Sequence, residues 1–149
     1  MNNFAAISTY TKVGLESGVT AADPHRLILM LFEGALKAIG NAKSEMQHKE
    51  IAAKGKSISH AIRIIGEGLD ASLNKTAGGA LAQDLSALYA YMISRLFDAN
   101  LKNDTVTLDE VTRMLSELKE AWSDIRPNKP FSVTPSKTAR NEQLIYARG

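Results

Sequence analysis

Apolar residues recur at helical spacing through four stretches of this chain, and the first stretch holds more of them than one buried face needs. Residues 23–47 open with Asp23-Pro24, a capping carboxylate followed by proline at the first helical position, which is a helix-start signal. Leu27, Leu31, Gly34, Ala38 and Ala42 form one stripe, and Ile28, Phe32, Ala35 and Ile39 form a second beside it. Leu29 and Leu36 widen the arc further. At about 100° per residue these positions span roughly 220°, against the ~100° of an ordinary surface helix. The charged side is narrow: Arg26, Glu33 and Lys37. Such a helix is expected to bury itself against a core and against something further.

The second segment, about residues 49–73, places Ile51, Gly55, Ile58, Ile62, Ile65, Leu69 and Ser72 on alternating spacings of four and three. Packing of its isoleucines outweighs their modest helix penalty. Asn, Thr and two glycines in residues 74–79 read as a loop. The third segment, about residues 79–100, aligns Leu81, Leu85, Leu88, Met92, Leu96 and Ala99, flanked by Tyr89, Ile93 and Phe97. Residues 100–104 read as the next turn. The fourth opens on a capping box, Thr107 to Glu110, in which each side chain serves the other's backbone donor. Leu108, Val111, Leu115, Leu118, Trp122 and Ile125 continue as a regular seam until Pro127 and Pro130 stop it.

Glycines and threonines in residues 1–22 allow at most a short helix, although Ile7, Tyr10, Val13, Leu15 and Val19 are apolar. Residues 126–149, with Pro135 and scattered polar and basic groups, read as a flexible tail. Four helices of roughly 19–25 residues with short polar loops predict an all-α fold, an antiparallel four-helix bundle over residues 23–125. The N-terminal arm, 1–22, and the C-terminal tail, 126–149, flank it.

Composition refines this picture only slightly. A chain of 149 residues fits one domain, and 44% hydrophobic with 23% charged residues is ordinary for a globule. The net charge of +2 is unevenly placed: residues 126–149 carry five basic groups and one acid, while residues 23–125 carry twelve and fourteen. The tail's charges are dispersed, with only Phe131 and Tyr146 as aromatics, so no nucleic-acid partner is expected. With no cysteine there is neither disulfide nor thiolate zinc site. The longest unbroken apolar run, residues 27–32, is far too short for stable membrane insertion, and no secretory leader pattern opens the chain. A soluble, cytosolic protein is expected.

Catalytic and metal chemistry find little support. Glu45 and His48 have the Glu-x-x-His spacing of di-iron bundles, but such a site needs two of these motifs plus two more glutamates. Neither His25 nor His60 has a glutamate three residues earlier. His60 with Arg63 one turn on matches a phosphorelay histidine and its steadying cation. Position 64, however, is Ile rather than a small residue that leaves room for phosphate. Ser59 and His60 are adjacent and so diverge on a helix, which forbids a nucleophile–base pair. Gly66-Glu67-Gly68 lacks the strand of a phosphate cradle and suits close helix packing instead. Neither an enzyme nor a cofactor is expected, and a His60 phosphorelay bundle is the alternative.

At the third helix the residues match a known pattern. Gly78-Gly79-Ala80-Leu81, Gln83-Asp84-Leu85, Leu88-Tyr89-Ala90-Tyr91-Met92, Arg95-Leu96 and Ala99-Asn100 closely resemble the FliS family of flagellin export chaperones. Tyr10 with Glu16-Ser17 is similar to the family's N-terminal arm. Residues 23–28 and 30–35 are similar to its first-helix signature, and Ala121-Trp122 to the close of its last helix. Two departures, Ala90 for the usual acid and Asp84 for a frequent Asn, leave the apolar surface untouched.

The resemblance implies a cytosolic chaperone that binds the C-terminal segment of flagellin, prevents premature polymerisation and delivers the subunit to the export gate of the flagellar type III system. It also implies apolar grooves around which the client becomes helical, with the arm able to occupy part of that surface. A client of this kind needs anchors at helical spacing. The candidate client-binding or groove-covering residues are Ile7, Tyr10 and Val13 on the arm, Ile28, Phe32 and Ile39 on the first helix, and Tyr89, Ile93 and Phe97 on the third. A bundle adaptor for another secreted subunit differs only in its client. Exposed apolar grooves also favour a monomer or weak homodimer when no client is bound.

Overall fold

The computed structural model describes residues 23–125. They form four helices: α1 (Pro24–Gln47), α2 (Ile51–Arg63), α3 (Lys75–Lys102) and α4 (Thr105–Asp124). A π-helical segment, Ile64–Asp70, continues α2 without a break. There is no strand among the described residues. The arm and the tail, with Ile7, Tyr10 and Val13, lie outside the described residues.

Helix ends follow local chemistry. Asp23 Oδ1 accepts from Arg26 N–H at 3.1 Å, and Pro24 takes the position that needs no donor. The turn between α1 and α2 is short because Lys49 adopts a left-handed conformation, φ 60°. The fourth helix departs from the capping box expected at Thr107. It begins two residues earlier, capped by Asp104, whose carboxylate accepts from the Val106 and Thr107 amides and from the Thr107 hydroxyl. Glu110 cannot reach back because it is bound by α3: Tyr91 Oη donates at 2.6 Å and Arg95 Nε at 2.9 Å. A tertiary partner displaced the local one.

Cross-helix contacts establish an up-down-up-down order. His25 meets Trp122 while Lys43 meets Asp109, so α1 and α4 are antiparallel. Glu45 accepts from Ser57, and Leu31 faces Gly68, so α2 with its π extension runs back along α1. Lys54 reaches Asn100, and Ile93 lies opposite Gly66, which sets α3 against α2. Tyr91 and Arg95 on Glu110 do the same for α3 and α4. Helices α1 and α3 lie diagonally across the bundle. The expected all-α antiparallel bundle is the fold.

Both apolar stripes of α1 are largely buried: Leu31, Ala35, Ala38, Phe32 and Ile39 fully, Ile28 and Gly34 in part. The wide arc has a plain cause: α1 packs on α2 with its π segment on one side and on α4 on the other. Along α2 the expected seam holds at Ile58, Ile65 and Leu69, but Ile64 is buried as well. The i→i+5 bond from Ala71 N–H to Gly66 O belongs to a wider turn that brings consecutive residues onto the core side. Gly68 is needed there. A Cβ at that position would lie 3.0 Å from Leu31 Cδ2, so the two helices approach through the missing side chain. This is the close packing expected of the Gly66–Gly68 pair, although at Gly66 a Cβ would make only ordinary contact with Ile93.

Expectation and structure also part at the ends of seams. Leu81 was aligned with the core of α3, yet it is exposed. Just before it, Gly79 breaks the helix with φ 57° and ψ −134°, a conformation that only glycine adopts readily. The buried line of α3 instead runs through Ala82, Tyr89, Met92, Leu96 and Ala99. Ile51 and Ile125 are exposed at the start of α2 and just past the end of α4, where neighbouring helices no longer cover them.

Candidate binding groove

The four helices do not close equally. Helix α3 packs closely on the π segment and only sparsely along the thirteen residues of α2. At that end of the pair the C-terminal residues of α3 lie beside the start of α2. Lys54 ties the two: its stem is buried and its Nζ donates to Asn100 O at 2.8 Å. A positive charge on the last carbonyls of α3 complements that helix's dipole.

Beside this tie lies an open cleft of about 490 Å³, lined by Ala52, Gly55, Lys56, Ser59, His60 and Arg63 of α2 and by Asn100 of α3. Its α2 wall is low, because a Cβ on Gly55 would meet nothing within 4 Å. Along α3, Ile93 is half-buried against the core, Phe97 one turn on is 58% exposed, and Leu101 a further turn on is 80% exposed. Ile51, in the first turn of α2, is 55% exposed as well.

The candidate residues separate on this map. Ile93 packs on the core opposite Gly66, and Phe97 is exposed on α3. Ile28 is half-buried at the core's edge on α1. Phe32, Ile39 and Tyr89 are inside the core, at 3%, 1% and 4% exposure. Burial and the nearby Asp70 push the Tyr89 hydroxyl up to about 12, so it stays protonated. Sequence reasoning missed Ile51, Gly55 and Leu101 as surface. Ile51 had been placed on the seam by periodicity alone, and its position in the first turn of α2 was the available warning.

Several matched motif residues turn out to fasten the scaffold. Trp122 Nε1 donates to His25 O at 3.0 Å and His25 Nε2 donates to Trp122 O at 2.8 Å. Their rings stack at 5.0 Å, clasping the start of α1 to the end of α4. Tyr91 and Arg95 hold Glu110, and Arg95 also reaches Thr107 Oγ1 at 3.3 Å. The Tyr91 hydrogen bond first, and Arg95 next, keep the Glu110 carboxyl below its ordinary value.

The histidine proposals find no constellation. His48 Nδ1 donates to Ser44 O while Glu45 is engaged by Ser57, so the Glu-x-x-His pair is used in capping and packing. No group of three or more His, Asp or Glu able to hold a metal occurs among the described residues. His60 is exposed on the cleft rim. None of the described helices is long and apolar enough to cross a membrane.

The described residues form, as a class, an antiparallel four-helix bundle whose α2–α3 cleft is rimmed by Lys56, His60 and Arg63. Residues 6–129 match the family described as "Flagellar protein FliS". The chain is 44% identical to the flagellar secretion chaperone FliS of Salmonella typhimurium, over 88% of this chain and 97% of that protein. It is 45% identical to the flagellar secretion chaperone FliSB of Pseudomonas aeruginosa, over 80% and 94%. The Bacillus subtilis FliS is 36% identical over 72% and 78%. The chain belongs to the FliS family, whose members are chaperones and not enzymes.

Proposed function

We propose that this protein is the cytosolic export chaperone of flagellin, and that the α2–α3 groove holds the C-terminal segment of its client. The observation that carries this reading is the exposure of Ile51 on α2 and of Phe97 and Leu101 on α3, with Ile93 half-buried. Large apolar side chains left exposed on adjacent helices mark a binding surface, because a monomer gains nothing by leaving them in water. Their spacing along α3 suits an amphipathic helix that folds as it docks. While docked, the client's own assembly surface is covered, which prevents polymerisation until the subunit reaches the export gate of the type III system. Residues 1–22 act as an arm that covers the groove in the free state through Ile7, Tyr10 and Val13, and residues 126–149 act as a separate tail. With the arm in place the free protein is a monomer or weak homodimer.

Calorimetry with a flagellin C-terminal peptide tests the reading. Wild type should bind, and Phe97→Ala should bind at least tenfold more weakly, the loss of about 1.4 kcal/mol or more from one exposed aromatic anchor. Its melting temperature should not fall, because Phe97 contributes little to the core. No heat of binding with wild type would remove the proposal.

A further inference from the structure

We infer that the groove selects the polarity of its client, taking an amphipathic helix that carries acidic side chains along one flank of its apolar face. The inference rests on the groove being the client site. Lys56, His60 and Arg63 follow one another at spacings of four and three, so they share the outward flank of α2 and line the same cleft. They span seven residues, on the order of 10 Å, or about two turns of a docked helix. Among the described residues Lys56 and His60 make no ion pair, and Arg63 Nε lies 3.7 Å from Glu67 Oε1. Residues 23–125 as a whole carry more acids than bases, so a basic rim is a local feature and not a reflection of net charge.

On the α3 side the cleft is lined by Asn100, and Phe97 and Leu101 of the same helix are exposed. A client helix docked over both helices meets Lys56 and Arg63 on its α2 flank and these apolar side chains on its α3 flank. Gly55 leaves the floor open, so the client's anchors can sit low while its flank reaches the rim. Acids at i, i+4 and i+7 beside the anchors complement Lys56, His60 and Arg63, whereas a basic flank is repelled. Rim charges act mainly on the rate of encounter and on rejection of wrong partners, and apolar anchors act on residence time.

Stopped-flow binding of a labelled flagellin C-terminal peptide to the full chain separates these roles. Lys56→Glu with Arg63→Glu should slow association about tenfold at low salt and much less at high salt, with dissociation little changed. The neutral pair Lys56→Gln with Arg63→Gln should fall between, and Phe97→Ala should speed dissociation at either salt. Association that charge reversal leaves unchanged, or accelerates, overturns the acidic-flank inference while the groove stands. Absence of binding by wild type overturns the chaperone reading itself. Both exchanged positions are exposed, and an unchanged melting curve confirms that the variants are folded.

Discussion

Lys54 shows how one residue can serve packing, charge and the site together. Its stem is buried where a lysine is seldom found, and its ammonium ends on the Asn100 carbonyl at the close of α3. Replacing it by methionine keeps most of the stem's volume and deletes the charged donor. Lys54→Met should lower unfolding stability by about 1–2 kcal/mol, the range of a charge-assisted bond at a helix C-terminus. Denaturant titration measures this, and a stability equal to wild type would show that the tie is idle. Nothing in the sequence marked Lys54, because a lysine on an amphipathic helix normally reads as solvated. Gly68 is the opposite case: the Gly-x-Gly pair suggested close packing, and Leu31 occupies the space a Cβ would need.

Among the elements, α3 and α4 are joined by a polar cluster that replaces the local cap foreseen for α4. Asp104 accepts from Thr107 side chain and backbone, and Glu110 accepts from Tyr91 and Arg95, so both carboxyls titrate below their ordinary values. A group depressed in the folded state binds fewer protons there than in the unfolded chain. Its contribution is therefore present above the unfolded carboxylate range, near 4, and is lost as pH falls through the lower folded value. Thermal melts from about pH 6 down to about pH 3 should show this acid loss in wild type. In Glu110→Gln the decline should be shallower, since that carboxyl no longer titrates; an identical slope would remove Glu110 from the acid response. The capping-box motif was legible, but its glutamate had a stronger partner on another helix. Local sequence cannot rank the two.

At the scale of the whole molecule, the proposed binding surface lies over the α2–α3 cleft. The proposed arm must then compete with the client for that surface. A chain lacking residues 1–19 should bind the flagellin peptide with a faster association rate or higher affinity, several-fold if cover and client exclude one another. Equal rates and affinities for full and shortened chains would end the cover proposal. Of the nine candidate residues, Phe97 is exposed, Ile93 and Ile28 lie at the core's edge, and Phe32, Ile39 and Tyr89 lie in the core. Periodicity reveals which residues are apolar on a helix face. It does not reveal whether that face meets a neighbour or water.

By itself the sequence determined four helices, their antiparallel order and the family, because helix periods, caps and ordered motifs are properties of neighbouring residues. The loop expected over residues 74–79 is instead helix from Lys75 onward, bent at Gly79. The sequence also determined that the first helix is too apolar for a single contact. Only the tertiary structure decided how that excess is spent: α2 and α4 take up both stripes, since α1 lies between them. The apolar side chains that face water lie elsewhere, including Ile51 on α2, Leu81, Phe97 and Leu101 on α3, and Val106 and Ile125 at the ends of α4. Helix separation is a sum over many distant contacts, and no stretch of chain contains it.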